Sequence, residues 1–318
     1  MTAADGIRSE RFAGPLDLRA TLHPIGAVFG DPTLLISARE AVRATRTPDG
    51  PATLHVAVST PSCVDARAWG PGAGWVLARV RSWLGLDEPP TDPRRFEPPL
   101  RDLARRAAGL RLARTERVFE LLVPIVLEQL VSGAEAARAF ARLVRRFSER
   151  APGPFDELWL PLGPEQIRAI PQAAFPACGA LPRQGATLLG SARRAVRVEE
   201  AAAMDADAAE RRLMAFAGVG IWTARSVMLR GLGHADAVPL GDYHLATIVA
   251  SLLTGASHAD DAGMLALLEP FRGERGRVVR WILAAGTMPA RRAPRAAMRE
   301  IDPASGALLR GLRREVLS

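Results

Sequence analysis

The hydrophobic pattern changes period part-way along the chain, and that change limits the possible folds more than any other feature. Thr33–Ser37 and Ala52–Ser59 are β-rich runs, and Thr47-Pro48-Asp49-Gly50 between them is a strong turn sequence. Residues 73–85 read as a helix, with Val76, Leu77, Val80 and Leu84 at helical spacing. A Pro-rich break from Glu88 to Pro99 reads as a domain boundary. Beyond Leu100 strand signals fade and helical periodicity takes over. Val118, Leu121, Leu122 and Ile125 form one stripe, and Pro124 inside it predicts a kink. Ala136–Phe147 reads as an amphipathic helix with arginines on its outer face, and Glu199–Ala215 as another. From Pro289 onward arginines alternate with small residues, the pattern of a solvated or DNA-facing tail. Strands first and helices later predict an α+β fold.

At 318 residues the chain exceeds one ordinary core, so two or three domains are expected. Its net charge is +8, with pI near 11.0, which points to a polyanionic partner. All 42 basic residues are arginine, so no lysine side chain exists to form a Schiff base with a sugar. Two cysteines, Cys63 and Cys178, are too few for a zinc ribbon or a cubane iron–sulfur cluster and read as inert thiols. The five histidines show no metal-ligand spacing. There is no 18-residue apolar run and no signal-peptide core near Met1, so a cytoplasmic, nucleoid-associated protein with no membrane partner is expected.

The most informative segment is Leu213–Leu245. A helix up to Phe216 meets the turn Gly218-Val219-Gly220, and a second helix starts near Trp222. Glycines serve where the backbone turns sharply or must come close to a phosphate. Free N–H groups and the helix dipole favour an anion at such a start. A helix–hairpin–helix of this kind can hold a DNA phosphate without reading sequence; a plain packing hairpin has the same local pattern. Asp242 follows Gly218 by 24 residues and opens another helix from Tyr243 to Leu253. An Asp there is a natural helix N-cap and can be a catalytic carboxylate as well.

The sequence resembles the helix-hairpin-helix DNA glycosylases, and within them the bacterial 3-methyladenine DNA glycosylase II group. Four stretches carry the resemblance in order. Asp17-Leu18-Arg19, Thr21-Leu22, Gly30-Asp31-Pro32 and Ala68-Trp69-Gly70-Pro71-Gly72-Ala73 are similar to that group's N-terminal domain. Leu127-Glu128-Gln129-Leu130-Val131-Ser132 resembles its L-x-Q-x-V-S segment. Gly218–Ala224 resembles its hairpin, and Gly241-Asp242 the end of its aspartate loop. Ile221, Leu240 and Pro124 depart from the family pattern, and Glu269–Arg275 matches its next segment only loosely.

The resemblance implies an N-terminal antiparallel β-sheet domain with helices, TBP-like, over 1–96, followed by all-α glycosylase lobes over 97–318. One lobe would run roughly over 117–235 with the hairpin at 213–230, the other over 97–116 plus 236–318. Asp242 would stabilise the oxocarbenium-like sugar and place the attacking water. Trp222 would line the base pocket, with Tyr243 helping to select the base. Leu130 would wedge into the gap left by the flipped nucleotide beside Gln129; taken alone, Leu130 also reads as core and Gln129 as a loop hydrogen-bonder. Gly218, Val219, Gly220, Trp222 and Thr223 would hold a phosphate. Backbone carbonyls of Met214, Phe216 and Val219 would take a Na+ or K+ ion, with no other cofactor, no zinc and no iron–sulfur cluster. Bifunctional members carry a lysine where Trp222 stands, so a monofunctional enzyme that leaves an abasic site is expected. Its partner would be duplex DNA containing damaged bases, alkylated purines first, and it would act as a monomer. A glycosylase for deaminated, oxidised or bulky-adduct bases, or a non-catalytic damage binder, remains the alternative.

Overall fold

In a computed structural model of the chain, residues 4–27 and 30–286 are described, together with the backbone of residues 300–301 and 308–309. Strand β1 (Gly6–Arg11) is followed by helix α1 (Leu18–Leu22), then β2 (Leu34–Ile36), β3 (Glu40–Thr47), β4 (Gly50–Thr60) and β5 (Cys63–Trp69). The strands form one antiparallel sheet in the order β1-β5-β4-β3-β2. The expected turn closes β3 onto β4 with Thr47 opposite Gly50. Thr47 locks it, its hydroxyl donating to the Gly50 carbonyl at 2.8 Å and accepting from the Asp49 amide at 3.1 Å.

Alternation along β3 covers both faces of the sheet. Val42 and Ala44 pack with Leu158 and Leu160, while Ala41 joins the main core. Arg43 and Thr45, on the same face as Ala41, meet a carboxylate from the helices. Helices α2 (Ala73–Ala78) and α3 (Val80–Trp83) split the expected 73–85 helix at Arg79, whose backbone (φ −111°, ψ 9°) leaves the helical region. The Pro-rich stretch leads into α4 (Leu100–Arg106). It is tied to later segments: Glu88 pairs with Arg114 at 2.7 Å and with Arg277 at 2.5 Å, and Phe96 lies edge-on to Trp281. Buried side chains from the sheet and from the helices on both sides of this stretch belong to one continuous core.

Helix α5 (Val118–Leu127) contains Pro124 and is buried along its whole length. Its Glu120 clamps it to the sheet, accepting from Arg43 Nη2 at 3.1 Å, Thr45 Oγ1 at 2.8 Å and the Arg46 amide at 2.6 Å. Next come α6 (Gly133–Phe147), α7 (Pro164–Ala169), α8 (Ala174–Ala177), α9 (Pro182–Ala192), α10 (Ala195–Glu199) and α11 (Ala206–Met214). Ser132 and Glu135 form a capping box at the start of α6, whose buried face carries Phe140, Leu143 and Val144. The single helix expected over Glu199–Ala215 is therefore corrected. The chain passes from α10 through a 3-10 turn, and Asp205 restarts it by accepting the Ala208 amide at 2.8 Å. Aspartate competes for backbone N–H groups and so favours a helix start over a helix interior.

Four helices complete the described fold: α12 (Ile221–Gly231), α13 (Leu245–Thr254), α14 (Asp261–Leu268) and α15 (Arg275–Ala285). α12 packs on α5 and α11, and α15 on α4 and α13. The basic stretch expected to be a DNA-facing tail lies outside the described residues, except for the backbone of β6 (Glu300–Ile301) paired with β7 (Leu308–Leu309). Among the described residues no helix is long and apolar enough to cross a membrane. Both cysteines are free, and burial pushes the Cys178 thiol up.

Candidate active site

The hairpin joins α11 to α12. Its turn closes with the Val219 amide donating to the Phe216 carbonyl at 3.0 Å. Gly218 has φ +84°, and a Cβ there would collide with the Thr187 hydroxyl of α9. Gly220 stands at the start of α12 with open space on its Cα and no side-chain cap, so the first amides of α12 face outward. Gly218→Ala is expected to destabilise the protein by about 1–3 kcal/mol from the left-handed backbone alone, with the clash added. Chemical denaturation measures this; an unchanged midpoint would show that the turn is not held as described.

A second loop is fastened to the hairpin. Gln129 Nε2 donates to the Gly218 carbonyl at 2.9 Å and to Thr223 Oγ1 at 2.8 Å. Gln184, almost fully buried on α9, donates to the carbonyls of Leu127 and Gln129 at 3.0 and 2.8 Å. These bonds hold the turn after α5, in which Leu130 takes φ +60° and is 68% exposed. Leu130 is thus not a core residue. A left-handed leucine facing solvent is strained and needs such fixing from its neighbours. Glu128, which sequence reasoning gave no role, pairs with Arg230 at 2.8 Å.

Trp222 Nε1 donates to Asp242 Oδ2 at 3.2 Å. The other Asp242 oxygen accepts the His244 and Leu245 amides, each at 2.9 Å, and so caps α13. Gly241 (φ +80°) precedes it, and its amide donates to Asp261 at 2.7 Å. Trp222 and Asp242 line a cavity of about 550 Å3 between α1, α12, α13 and α15. Trp222, Ser226 and Arg230 reach it from one face of α12, four residues apart. Leu229, Leu245, Ile248 and Val279 supply apolar wall. Arg280 enters from α15; burial and the Arg230 charge push its guanidinium down to about 9.

The expected site residues fall into three groups. Asp242 and Trp222 are brought together in the cavity. Gln129, Leu130, Gly218, Val219, Gly220 and Thr223 form the adjoining ridge. Tyr243 is placed elsewhere: it is 90% exposed, stacks edge-on against the exposed His244, and does not line the cavity. Both side chains project outward while the backbone beneath them is bonded to Asp242. Ser226, Arg230 and Arg280 were missed. Counting four and eight residues on from Trp222 finds the first two. Arg280 carries no such signal, because R-G-R-V-V-R-W reads as an ordinary helix with a charged face.

Neutral oxygens suit a monovalent ion. Among the described residues the Phe216 carbonyl accepts the Val219 amide, and no hydrogen bond engages the Met214 or Val219 carbonyl. There is also no cluster of three or more His, Cys, Asp or Glu side chains fit for a metal among the described residues.

No protein-family model matches the chain. It is 32% identical over 180 residues to the Mycobacterium tuberculosis protein named "Probable bifunctional transcriptional activator/DNA repair enzyme AlkA", a match covering 53% of this chain and 34% of that protein. It is 31% identical over 137 residues to DNA-3-methyladenine glycosylase 2 of Escherichia coli, covering 42% of this chain and 48% of that protein. These matches span a third to a half of the relatives' own lengths. Among solved structures it resembles the 3-methyladenine DNA glycosylase of Archaeoglobus fulgidus, with TM-score 0.70 and 18% identity over 87% of this chain and 97% of that one. It also resembles the Clostridium acetobutylicum 8-oxoguanine glycosylase/lyase in complex with duplex DNA, with TM-score 0.67 and 14% identity over 88% of this chain and 96% of that one. The two structural likenesses establish the fold.

Proposed function

We propose that the chain is a helix-hairpin-helix DNA glycosylase that removes damaged bases from duplex DNA by hydrolysis. The observation that carries the proposal is the Trp222–Asp242 hydrogen bond in a cavity large enough to admit a base, beside a hairpin with outward amides. A base stacked in duplex DNA is out of reach of any side chain, so it must be turned out. The exposed Leu130, fixed by Gln129 and Gln184, is the wedge that fills the vacated stack. The hairpin amides hold a neighbouring phosphate, and the carbonyls of Met214, Phe216 and Val219 would hold a Na+ or K+ ion, adding positive charge there.

As the bond from C1′ to the base nitrogen breaks, positive charge grows on the sugar. Asp242 stabilises it, and a carboxylate in a cavity with apolar walls does so more strongly than one in water. Asp242 accepts three hydrogen bonds of about four it can take, which leaves one lone pair for the attacking water. That water gives its oxygen to C1′, and its proton passes by way of Asp242 while the base leaves with the bonding pair. The Escherichia coli relative's name supports alkylated purines as the substrate class.

A pure damage binder gains nothing from a carboxylate turned toward DNA. A lyase step through an imine needs an amine, and the sequence contains no lysine. On this reading the protein is a monofunctional glycosylase in base excision repair. Borohydride added during reaction with damaged duplex tests this directly. We expect no covalent protein–DNA adduct and no strand break before alkali. A trapped adduct would overturn the monofunctional assignment.

A further inference from the structure

The cavity beside Asp242 contains two donors with little to donate to. Ser226 is fully buried, lines the cavity, and its hydroxyl has no hydrogen-bond partner. A serine within a helix usually returns its hydroxyl to the carbonyl one turn back; Ser226 does not. Arg280 is 5% exposed and lines the same cavity, and its one hydrogen bond runs from Nη2 to the Ala20 carbonyl at 2.6 Å. Among the described residues no carboxylate pairs with it. Its neighbours differ in this respect: Arg277 pairs with Glu88, and Arg230 with Glu128. Two carboxylates do line the cavity, but Asp17 caps α1 through the Ala20 amide and Asp242 holds Trp222 and the start of α13.

A buried guanidinium without an anion is costly and is tolerated where a partner completes it. Arg offers five N–H donors and accepts nothing, and the Ser226 hydroxyl adds a sixth. The missing partner is therefore an acceptor. A phosphate fits poorly, since it would lie beside Asp242 and among Leu229, Leu245, Ile248 and Val279. A flat ring with an exocyclic oxygen fits both the apolar wall and the donors.

We propose that Arg280 and Ser226 read the exocyclic oxygen of the extruded base, so that the enzyme favours 6-oxopurines such as hypoxanthine and N7-methylguanine over 3-methyladenine. The inference rests on the glycosylase reading and adds the substrate class to it. Hypoxanthine and N7-methylguanine present oxygen at the position where 3-methyladenine presents an amino group. The amino group would oppose donor to donor. An unmatched buried donor discriminates strongly against the wrong ligand.

The test measures single-turnover release of hypoxanthine from an inosine-containing duplex, and of 7-methylguanine and 3-methyladenine from methylated duplex DNA. It uses the full chain, Arg280→Met and Ser226→Ala. The readout is the ratio of hypoxanthine or 7-methylguanine release to 3-methyladenine release, which a loss of folded protein leaves unmoved. Arg280→Met is expected to lower both ratios by about 10- to 100-fold, the range for a hydrogen bond from a charged group. Ser226→Ala, which deletes an unpartnered hydroxyl and spares the fold, is expected to lower them by about 3- to 10-fold. Ratios unchanged in both variants would overturn the inference. Release of 3-methyladenine alone by the unaltered protein would overturn it while leaving the glycosylase reading intact, and release of no base at all would overturn both.

Discussion

Asp242→Asn is expected to lower single-turnover base release by about 10²- to 10³-fold, the usual loss when one pre-aimed electrostatic group is removed from a transition state. The fold should survive the change. Asparagine is as good a helix cap as aspartate, so its amide oxygen keeps the His244 and Leu245 amides that start α13. What is lost is the negative charge that the proposed mechanism sets against the sugar, and the acceptor for Trp222 Nε1. Binding to duplex that carries an abasic-site analogue should change by only about threefold or less, because phosphate contacts dominate affinity for DNA. A variant that bound normally and still released base at the parent's rate would remove Asp242 from the chemistry.

Glu120→Leu is the substitution expected to cost most stability, about 3–5 kcal/mol. Glu120 and Arg43 are both buried, and the carboxylate also takes Thr45 Oγ1 and the Arg46 amide. Leucine would leave the Arg43 guanidinium inside with no anion, and burial already pushes that group down. The loss falls where β3 meets α5, at the opposite end of α5 from the turn that presents Leu130. A urea titration followed by circular dichroism reads it. The exposed pair Arg272–Glu269 is the internal control, since surface pairs contribute about 0–1 kcal/mol. A midpoint for Glu120→Leu no lower than that of an Arg272→Ala variant would show that the clamp does not hold sheet to helix.

Local chemistry makes much of the site legible in the sequence. Gly218 marks the hairpin because only glycine meets both the left-handed turn and the closeness of Thr187, and Gly220 follows it at the start of α12 with open space on its Cα. Asp242 could be placed at a helix start from its preference for free amides. The turn at Thr47–Gly50 followed from Pro, Asp and Gly in sequence. Three of the misses share a physical cause: they depend on partners distant along the chain. Strand β3 gave no clean apolar alternation because Arg43 and Thr45 stand on its inner face, where Glu120 satisfies them. Leu130 could be read as core or as wedge, and its exposure on a turn held by Gln129 and Gln184 excludes the core reading. Arg280 is buried only because α15 packs against α4 and α13. Tyr243 was expected in the pocket from its nearness to Asp242, yet adjacent residues at a helix start point to different sides.

Base excision is tested most directly by the identity of free bases released when the full chain is incubated with alkylated duplex DNA and the small-molecule fraction is analysed by mass spectrometry. Damaged purines should appear in that fraction while both strands stay unbroken until alkali is added. A protein that binds the duplex tightly and liberates no base would contradict the account and leave the hairpin as a binding device alone.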